Sequence, residues 1–186
     1  AADLPLLSSG SMVSVTLDGA GVKISLTGGQ IGQSVQIPVI PSGDWTIPSG
    51  QFVVLNPKVD GTAHILTGDL TISNNAGLSL VGVDLQLPQT AEIDIQGSGI
   101  LSGQGATISV PNIYAGTSAM VTADGDNSLT IDANLFWSCQ TLREISSLVI
   151  KGSLTLQPGC QVEMTGGDVE GSITALTGGE FTLLSE

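Results

Sequence analysis

The chain has 186 residues, enough for one large or two small domains with a sizeable buried core. Seventeen Asp and Glu residues against four Lys and Arg give a formal net charge of −13. This charge repels phosphate backbones and anionic membrane surfaces, so it argues against a nucleic-acid or membrane partner. No apolar run reaches the roughly 18 residues of a membrane-spanning helix.

The composition indicates an all-β protein. The chain contains 25 Gly and only 11% charged residues, together with many Ser, Thr and Val residues. Such a composition is typical of short strands joined by tight turns.

The N-terminal part predicts a leader followed by a β-hairpin. Residues 1–9, which include Pro5, predict a flexible leader or an arm on a neighbouring subunit. Residues 12–17 and 22–26 each alternate apolar and polar side chains, and the glycine-rich segment 18–21 between them has turn chemistry.

Prolines interrupt the next region. Residues 34–40 predict another strand, after which Pro38, Pro41, Pro48 and Pro57 limit the strands to short or edge positions. We expect an N-terminal β region over residues 10–58 and a β-rich main domain over residues 59–186, with the boundary near the Asn56-Pro57 pair.

From Thr62 onward, short apolar clusters recur at roughly 8 to 12 residue spacing, separated by Gly, Asn, Pro and Ser. Two architectures produce this pattern, a β-solenoid or an antiparallel β-sandwich or jelly roll. Small corner residues between apolar triplets in residues 74–105 favour the solenoid. Residues 148–184 continue the pattern with few reactive side chains, which is typical of a scaffold.

The segment 133–146 lacks Gly and Pro and interrupts this rhythm. Leu135, Cys139, Leu142 and Ile145 follow a near-helical spacing, and Asp132 or Asn134 could cap a helix. The segment therefore predicts a short helix, and a strand through residues 135–137 is the alternative.

One acidic segment is a weak candidate for a metal site. Asp124 and Asp126 are followed by Asp132, but Ser128 and Leu129 stand where an EF-hand loop needs an oxygen ligand and a glycine. An incidental acidic turn is the favoured interpretation, with these three residues as the calcium alternative.

Glu92 and Asp94 form a candidate catalytic carboxylate pair. They alternate with Ile93 and Ile95, so both project from one strand face about 7 Å apart. This separation falls within the range of glycosidase pairs. No aromatic residue lies near the pair in sequence, so an ordinary solvent-facing strand is favoured.

Other catalytic chemistry finds little support. His64 is the only histidine, no Ser lies in a nucleophile elbow, and the Gly97 to Gly103 string does not match a dinucleotide fingerprint. His64 is expected to be a face or core residue, and the glycines to form corners. We therefore predict no catalytic residue, no cofactor and no enzymatic activity.

Cys139 and Cys160 are the two cysteines, 21 positions apart. The spacing is compatible with buried free thiols, a disulfide or intersubunit links, of which buried thiols are favoured. Four ligands are typical of a structural zinc site, so two cysteines cannot form one unaided.

Aromatic residues are few, and a core position is favoured for them, with an exposed surface that contacts a partner as the alternative. The interface candidates are Trp45, Phe52, Phe136 and Trp137.

In its overall composition and strand pattern, this acidic, glycine-rich chain resembles structural proteins of tailed-bacteriophage virions, namely capsid decoration (cement) proteins and fibre subunits. The resemblance implies a non-enzymatic virion protein that assembles as a homo-oligomer, with a trimer favoured, and contacts the major capsid protein or another virion protein.

Two alternatives differ in class. One is a secreted or surface-displayed adhesin or carbohydrate-binding module, which a signal peptide encoded upstream together with a bridge between Cys139 and Cys160 would support. The other is a polysaccharide-active β-helix enzyme, which would require a groove that gathers Glu92, Asp94 and an aromatic residue.

Overall fold

The computed structural model describes residues 12–18, 21–27, 33–36, 40–124 and 129–184, the first three segments as backbone strands only. Contacts divide the chain into a unit of residues 1–40 and a unit of residues 41–186. The predicted boundary between residues 58 and 59 falls inside the second unit. The predicted leader, residues 1–9, lies outside the described residues.

The first unit contains three antiparallel strands, β1 (Met12–Asp18), β2 (Gly21–Thr27) and β3 (Gln33–Gln36), in the order β1-β2-β3. Strands β1 and β2 pair from Met12 with Thr27 to Asp18 with Gly21. The predicted hairpin is confirmed, and its short connection agrees with the glycine-rich sequence between the strands.

The second unit is built from short strands only. They are β4 (Trp45–Ile47), β5 (Phe52–Leu55), β6 (His64–Ile65), β7 (Leu70–Ile72), β8 (Gly77–Val81), β9 (Asp84–Gln86), β10 (Glu92–Ile95), β11 (Ile100–Gln104), β12 (Thr107–Ala115), β13 (Met120–Ala123), β14 (Leu129–Trp137), β15 (Arg143–Ser146), β16 (Leu148–Ile150), β17 (Leu154–Leu156), β18 (Gln161–Thr165), β19 (Asp168–Val169), β20 (Ile173–Ala175) and β21 (Glu180–Leu184).

These strands form a parallel β-solenoid of about six coils, where a coil is one circuit of the chain around the solenoid. Each successive coil contributes strands to the three faces, and strands of neighbouring coils pair in parallel. On the second face the described strands form two separate sheets, β5-β8-β11-β13 and β15-β18-β21. The predicted solenoid is confirmed. The antiparallel sandwich is excluded for this unit, because its strand pairs are parallel.

The first face carries β4, β7, β10, the second halves of β12 and β14, β17 and β20. The second face carries β5, β8, β11 and β13, and further along β15, β18 and β21. The third face carries β6, β9, the first halves of β12 and β14, β16 and β19. Because the nine-residue strands β12 and β14 continue from the third face onto the first, these two faces join in one sheet.

The coils differ in length, which is why the sequence has no strict repeat. Equivalent residues are 25 positions apart between Asp44 and Asp69, and 19 apart between Ser153 and Ser172. The differences are absorbed at the corners, while the inward-facing positions stay in register.

The solenoid interior is apolar. In β14 the buried residues alternate with exposed or half-buried ones, so Leu129, Ile131, Ala133, Leu135 and Trp137 point inward. Each fully buried large side chain stabilises the fold by about 1.5–3 kcal/mol relative to an exposed one. Among the described residues, no polar or charged side chain is buried.

The predicted helix over residues 133–146 is wrong. This segment holds the end of β14 and the whole of β15, joined by an irregular stretch. The apolar residues 133, 135 and 137 also fit a two-residue alternation, and pairing of Leu135 with Ile113 and Leu154 on either side selects the strand. Within the described residues the chain contains no apolar helix of membrane-spanning length.

The preference for free thiols is also wrong, because Cys139 and Cys160 form a disulfide with their Cα atoms 4.6 Å apart. Each cysteine is buried at the corner that leads from the first face to the second, in two successive coils. The cross-link therefore joins neighbouring coils. Stable disulfides are typical of oxidising compartments and of virion or cell surfaces.

Side chains at the corner before the first face satisfy backbone donors of the next coil. The Asp44 carboxylate accepts a hydrogen bond from the Asp69 amide (2.9 Å), and the Asp69 carboxylate accepts one from the Glu92 amide (3.0 Å). Further along, the Asn134 side chain accepts one from the Ser153 amide (3.1 Å). These residues have a structural role in corners, where local side-chain acceptors replace missing backbone partners.

Candidate functional site

Glu92 and Asp94 lie on the outer surface of the first face, as their alternation with isoleucine predicts. Glu92 is exposed, Asp94 is half-buried, and the Gln96 amide donates a hydrogen bond to the Asp94 carboxylate (2.9 Å). Both carboxylates therefore face outward from the solenoid, and Asp94 has a hydrogen-bond donor beside it.

An aromatic pair adjoins these carboxylates. Asp94 is in register with Tyr114, and Tyr114 with Phe136. The Tyr114 and Phe136 rings stack with centroids 5.1 Å apart and planes 17° apart. This proximity is not visible in the sequence, because 20 positions separate Asp94 from its register partner Tyr114.

Amide side chains complete this polar surface. Glu92 is in register with Asn112, and Asn134 donates a hydrogen bond to the Asn112 side chain (3.3 Å). Carboxylates, amides and aromatic rings are the groups that hydrogen-bond and contact sugars. However, stacking of Tyr114 on Phe136 occupies a ring face of each residue, which reduces the ring area open to a ligand.

A cavity of about 100 Å³ lies on the second face, away from these carboxylates. It is lined by Leu142, Gln161, Val162, Glu163, Glu180 and Thr182. Ligand pockets usually enclose about 300–1,000 Å³, so this cavity is smaller than a typical substrate site. The structure brings an aromatic residue to Glu92 and Asp94, but neither carboxylate lines this cavity.

His64 lies half-buried in β6, with its Nε2 atom 2.8 Å from the Asn56 carbonyl oxygen. The glycine string from Gly97 is only partly a corner. Gly97 has a positive φ of 53° in the turn, whereas the last four residues of the string belong to β11.

The three metal candidates are distributed over different elements. Asp124 is exposed just after β13, Asp132 is exposed in β14, and Asp126 lies outside the described residues. Among the residues that the structure describes, no group of three or more His, Cys, Asp or Glu side chains could hold a metal ion.

The four aromatic interface candidates occupy different environments. Trp45 and Trp137 are buried in the solenoid, so they are core residues and are withdrawn as interface candidates. Phe136 is half-buried in the aromatic stack, and Phe52 is 69% exposed. Of the four, Phe52 is the residue most accessible to a partner.

Phe52 belongs to a part of the second face that we call the uncharged sheet. It consists of four neighbouring parallel strands, β5, β8, β11 and β13. None of the residues in these four strands is Asp, Glu, Lys or Arg. In a chain with a net charge of −13, this sheet is a neutral surface.

The outer surface of the uncharged sheet carries an apolar stripe formed by Phe52, Gly77, Ile100 and Met120. These four residues are in register across the four strands. A Cβ atom on Gly77 would lie 2.6 Å from Phe52 Cδ1, so the phenyl ring covers this glycine. The stripe is therefore continuous from one coil to the next.

The sequence pattern did not predict this stripe. Its members are separated by 25, 23 and 20 positions, and each belongs to a different apolar cluster. The available signal was the absence of charged residues from four apolar clusters, at residues 52–55, 77–81, 100–104 and 120–123, that alternate with clusters carrying Asp or Glu.

These features define the class of the protein, a disulfide-linked parallel β-solenoid with a polar first face and an uncharged sheet on its second face. Comparison with protein families, with curated proteins and with solved structures finds no match to the chain.

Proposed function

We propose that this chain is a non-enzymatic structural protein that acts by forming oligomers and surface contacts. The observation that supports this proposal is the in-register stacking of successive coils. Inward-facing residues such as Ile113, Leu135 and Leu154 lie one above the next, and parallel backbone pairing joins every coil to its neighbour. In such a stack each inner coil is stabilised by the coil on either side of it.

The disulfide adds to this support. Cys139 and Cys160 link two coils covalently, close to the irregular stretch between β14 and β15. A cross-link at this position reinforces the solenoid where residues 138–142 interrupt the regular strands. A subunit that is held under mechanical tension in an assembly needs this property.

The mechanism of such a protein is adhesive. Apolar contact surfaces stabilise the complex by roughly 25 cal/mol of binding free energy for each Å² of apolar area removed from water. The free-energy cost of ordering the partners reduces this gain. The resemblance in composition and strand pattern suggests a more specific version of this proposal. In this version, the protein is a capsid decoration or fibre subunit of a tailed bacteriophage, which assembles as a trimer and contacts the major capsid protein.

The first experiment is a measurement of the native mass by light scattering at micromolar concentration. A mass of three chains supports the proposal, and co-sedimentation with capsids that lack the protein tests the virion setting. A protein that remains monomeric and does not sediment with a capsid lattice contradicts the proposal.

A second candidate function is an adhesin or carbohydrate-binding module on a cell surface or in the extracellular space. The first face favours it, because Asp94, Tyr114, Asn112 and Asn134 form a polar and aromatic surface, and the disulfide is compatible with an oxidising compartment. Binding to polysaccharides that the Asp94→Asn and Tyr114→Ala variants abolish would support this function. Retained binding in both variants would contradict it.

A further inference from the structure

Asp94 and Tyr114 are neighbours in one outward-facing column of the first face. The column runs from Thr71 through Asp94 and Tyr114 to Phe136, with one residue from each coil. Phe136 stacks on one face of the Tyr114 ring. Since successive residues of the column follow one another along the solenoid, the other face of the ring is directed toward the coil that carries Asp94.

The side chains of this column differ in length, which leaves a recess on the surface. Adjacent strands lie about 4.8 Å apart. The Tyr114 ring extends farther from the sheet than the short side chains of Asp94 and Thr71, so its free face forms a wall. The Asp94 carboxylate forms the floor, where the Gln96 amide donates a hydrogen bond to one carboxylate oxygen (2.9 Å). We call this feature, formed by Asp94, Gln96 and Tyr114, the Asp94 recess.

The Asp94 recess attracts positive charge. The face of an aromatic ring and a carboxylate are both negative, so a position in contact with both favours a cation. Glu92 adds a second carboxylate on the same strand face, about 7 Å from Asp94. None of the described strands of the first face contains Lys or Arg. The cation must therefore come from outside these strands.

The shape of the recess favours one kind of cation. A guanidinium group is planar, so it can stack on the free face of Tyr114 while its N–H groups donate hydrogen bonds to the Asp94 carboxylate. The ammonium group of a lysine or an amino sugar is a point charge without a planar face. A sugar ring needs an aromatic face that is open outward, whereas the face of Tyr114 is directed along the column. Arginine matches both the wall and the floor.

The source of this arginine is another protein. The chain contains a single arginine, Arg143, which lies on the second face and donates a hydrogen bond to the Thr117 carbonyl (3.1 Å). A second copy of the chain therefore offers only an arginine that is already engaged. The net charge of −13 repels such a copy and attracts a basic partner at long range.

We propose that the Asp94 recess binds an arginine side chain of a basic partner protein. The guanidinium group packs against Tyr114 and donates hydrogen bonds to Asp94. This inference rests on the proposed surface contacts and deepens them, because it names a contact site and the chemistry of the partner.

The test is an NMR titration of the full chain with argininamide, with lysinamide and glucosamine as comparison probes. Argininamide should shift the backbone amide signals of Asp94, Gln96 and Tyr114, with a roughly millimolar dissociation constant for this single contact. Lysinamide and glucosamine should bind about threefold or more weakly, because neither can stack on the ring and pair with the carboxylate together.

Matched variants assign the binding to the recess. Asp94→Asn removes the floor charge and Tyr114→Ala removes the wall, and each should weaken argininamide binding about threefold or more. Asp132→Asn is the control for charge, because Asp132 is an exposed strand residue whose register partner is Ser109. Tyr114→Phe keeps the ring. Both controls should bind like the wild type, and unchanged amide signals away from the recess show that each variant is folded.

The outcomes separate this inference from the proposed function. Absence of argininamide binding overturns the inference, and so do equal losses in Asp94→Asn and Asp132→Asn, which would assign the binding to net charge. Equal binding of lysinamide, or tighter binding of glucosamine, overturns the assignment to arginine. A protein that binds argininamide in the recess but stays monomeric and does not sediment with capsids supports the recess and contradicts the proposed function.

Discussion

Cys139 and Cys160 are joined in a disulfide that links two successive coils, and their Cα atoms are 4.6 Å apart. The two cysteines are 21 positions apart in sequence, about the length of one coil. In the unfolded chain the bond therefore closes a loop of this length. Closure of a loop of this size reduces the conformational entropy of the unfolded state.

The first prediction concerns this bond. In the Cys139→Ser and Cys160→Ser double variant, the free energy of unfolding should fall by about 3 kcal/mol, as measured by urea denaturation. The oxidised wild type and the wild type treated with a reducing agent serve as references. Equal denaturation midpoints for the double variant and the oxidised wild type would contradict the prediction.

The second prediction compares one residue type at two levels of burial. Ile93 is fully buried in β10, whereas Ile65 in β6 is 63% exposed. Ile93→Ala should lower the free energy of unfolding by about 2–5 kcal/mol, because it leaves a cavity in the core. Ile65→Ala is the control and should change it by less than about 0.5 kcal/mol. Similar losses in the two variants would show that β10 is not part of the core.

The third prediction concerns close backbone contact between coils. A Cβ atom on Gly152 would overlap the backbone carbonyl group of Ala133. Gly152→Ala should therefore destabilise the protein by about 1–3 kcal/mol, measured by thermal or urea unfolding. Gly61 is a suitable control, because a Cβ there meets no atom within 4 Å and asparagine tolerates its positive φ of 69°. Gly61→Asn should have little effect, and a Gly152→Ala variant as stable as the wild type would contradict the contact.

The fourth prediction concerns two neighbouring carboxylates on the second face. Glu144 and Glu163 are in register on the paired strands β15 and β18. Like charges in this arrangement repel, so Glu144→Gln should raise the free energy of unfolding by about 0.2–1 kcal/mol at low salt. The gain should diminish in high salt, where the repulsion is screened.

A matched control separates this local repulsion from the change in net charge. The register partner of Glu180 is the uncharged Gln161. Glu180→Gln removes the same charge without relieving a direct pair, so it should stabilise the protein less. An equal gain in both variants would assign the effect to net charge alone.

The fifth prediction concerns a titratable turn residue. The pKa of Asp60 is lowered because the Thr62 hydroxyl (2.7 Å) and the Thr62 amide (3.0 Å) donate hydrogen bonds to its carboxylate. Thr62→Val removes the hydroxyl donor, so the pKa of Asp60 should rise toward its usual value, as followed by NMR titration. A lowered pKa in the folded state favours the fold above the usual pKa, and this contribution is lost as the pH falls through the lowered value. An unchanged pKa in Thr62→Val would leave the hydroxyl without a role in the shift.

Local pattern was sufficient to predict the hairpin of β1 and β2 and the all-β class. Alternation and turn chemistry act over a few residues, so they can be read directly from the chain. The segment 133–146 shows where this method fails, because Leu135 and Cys139 fit a helical spacing as well as a strand followed by a corner. Pairing of Leu135 with Ile113 and Leu154 decided the outcome.

By itself, the sequence determined that short strands and glycine-rich corners would alternate along the chain, because these preferences are local. Only the tertiary structure decided which strands are neighbours. The parallel register across coils of unequal length brought Tyr114 beside Asp94, placed Trp137 in the core, and aligned Phe52, Ile100 and Met120 in one stripe. The physical reason is that these contacts join residues about 20 or more positions apart, and burial of the whole apolar stack selects one register among many locally acceptable ones.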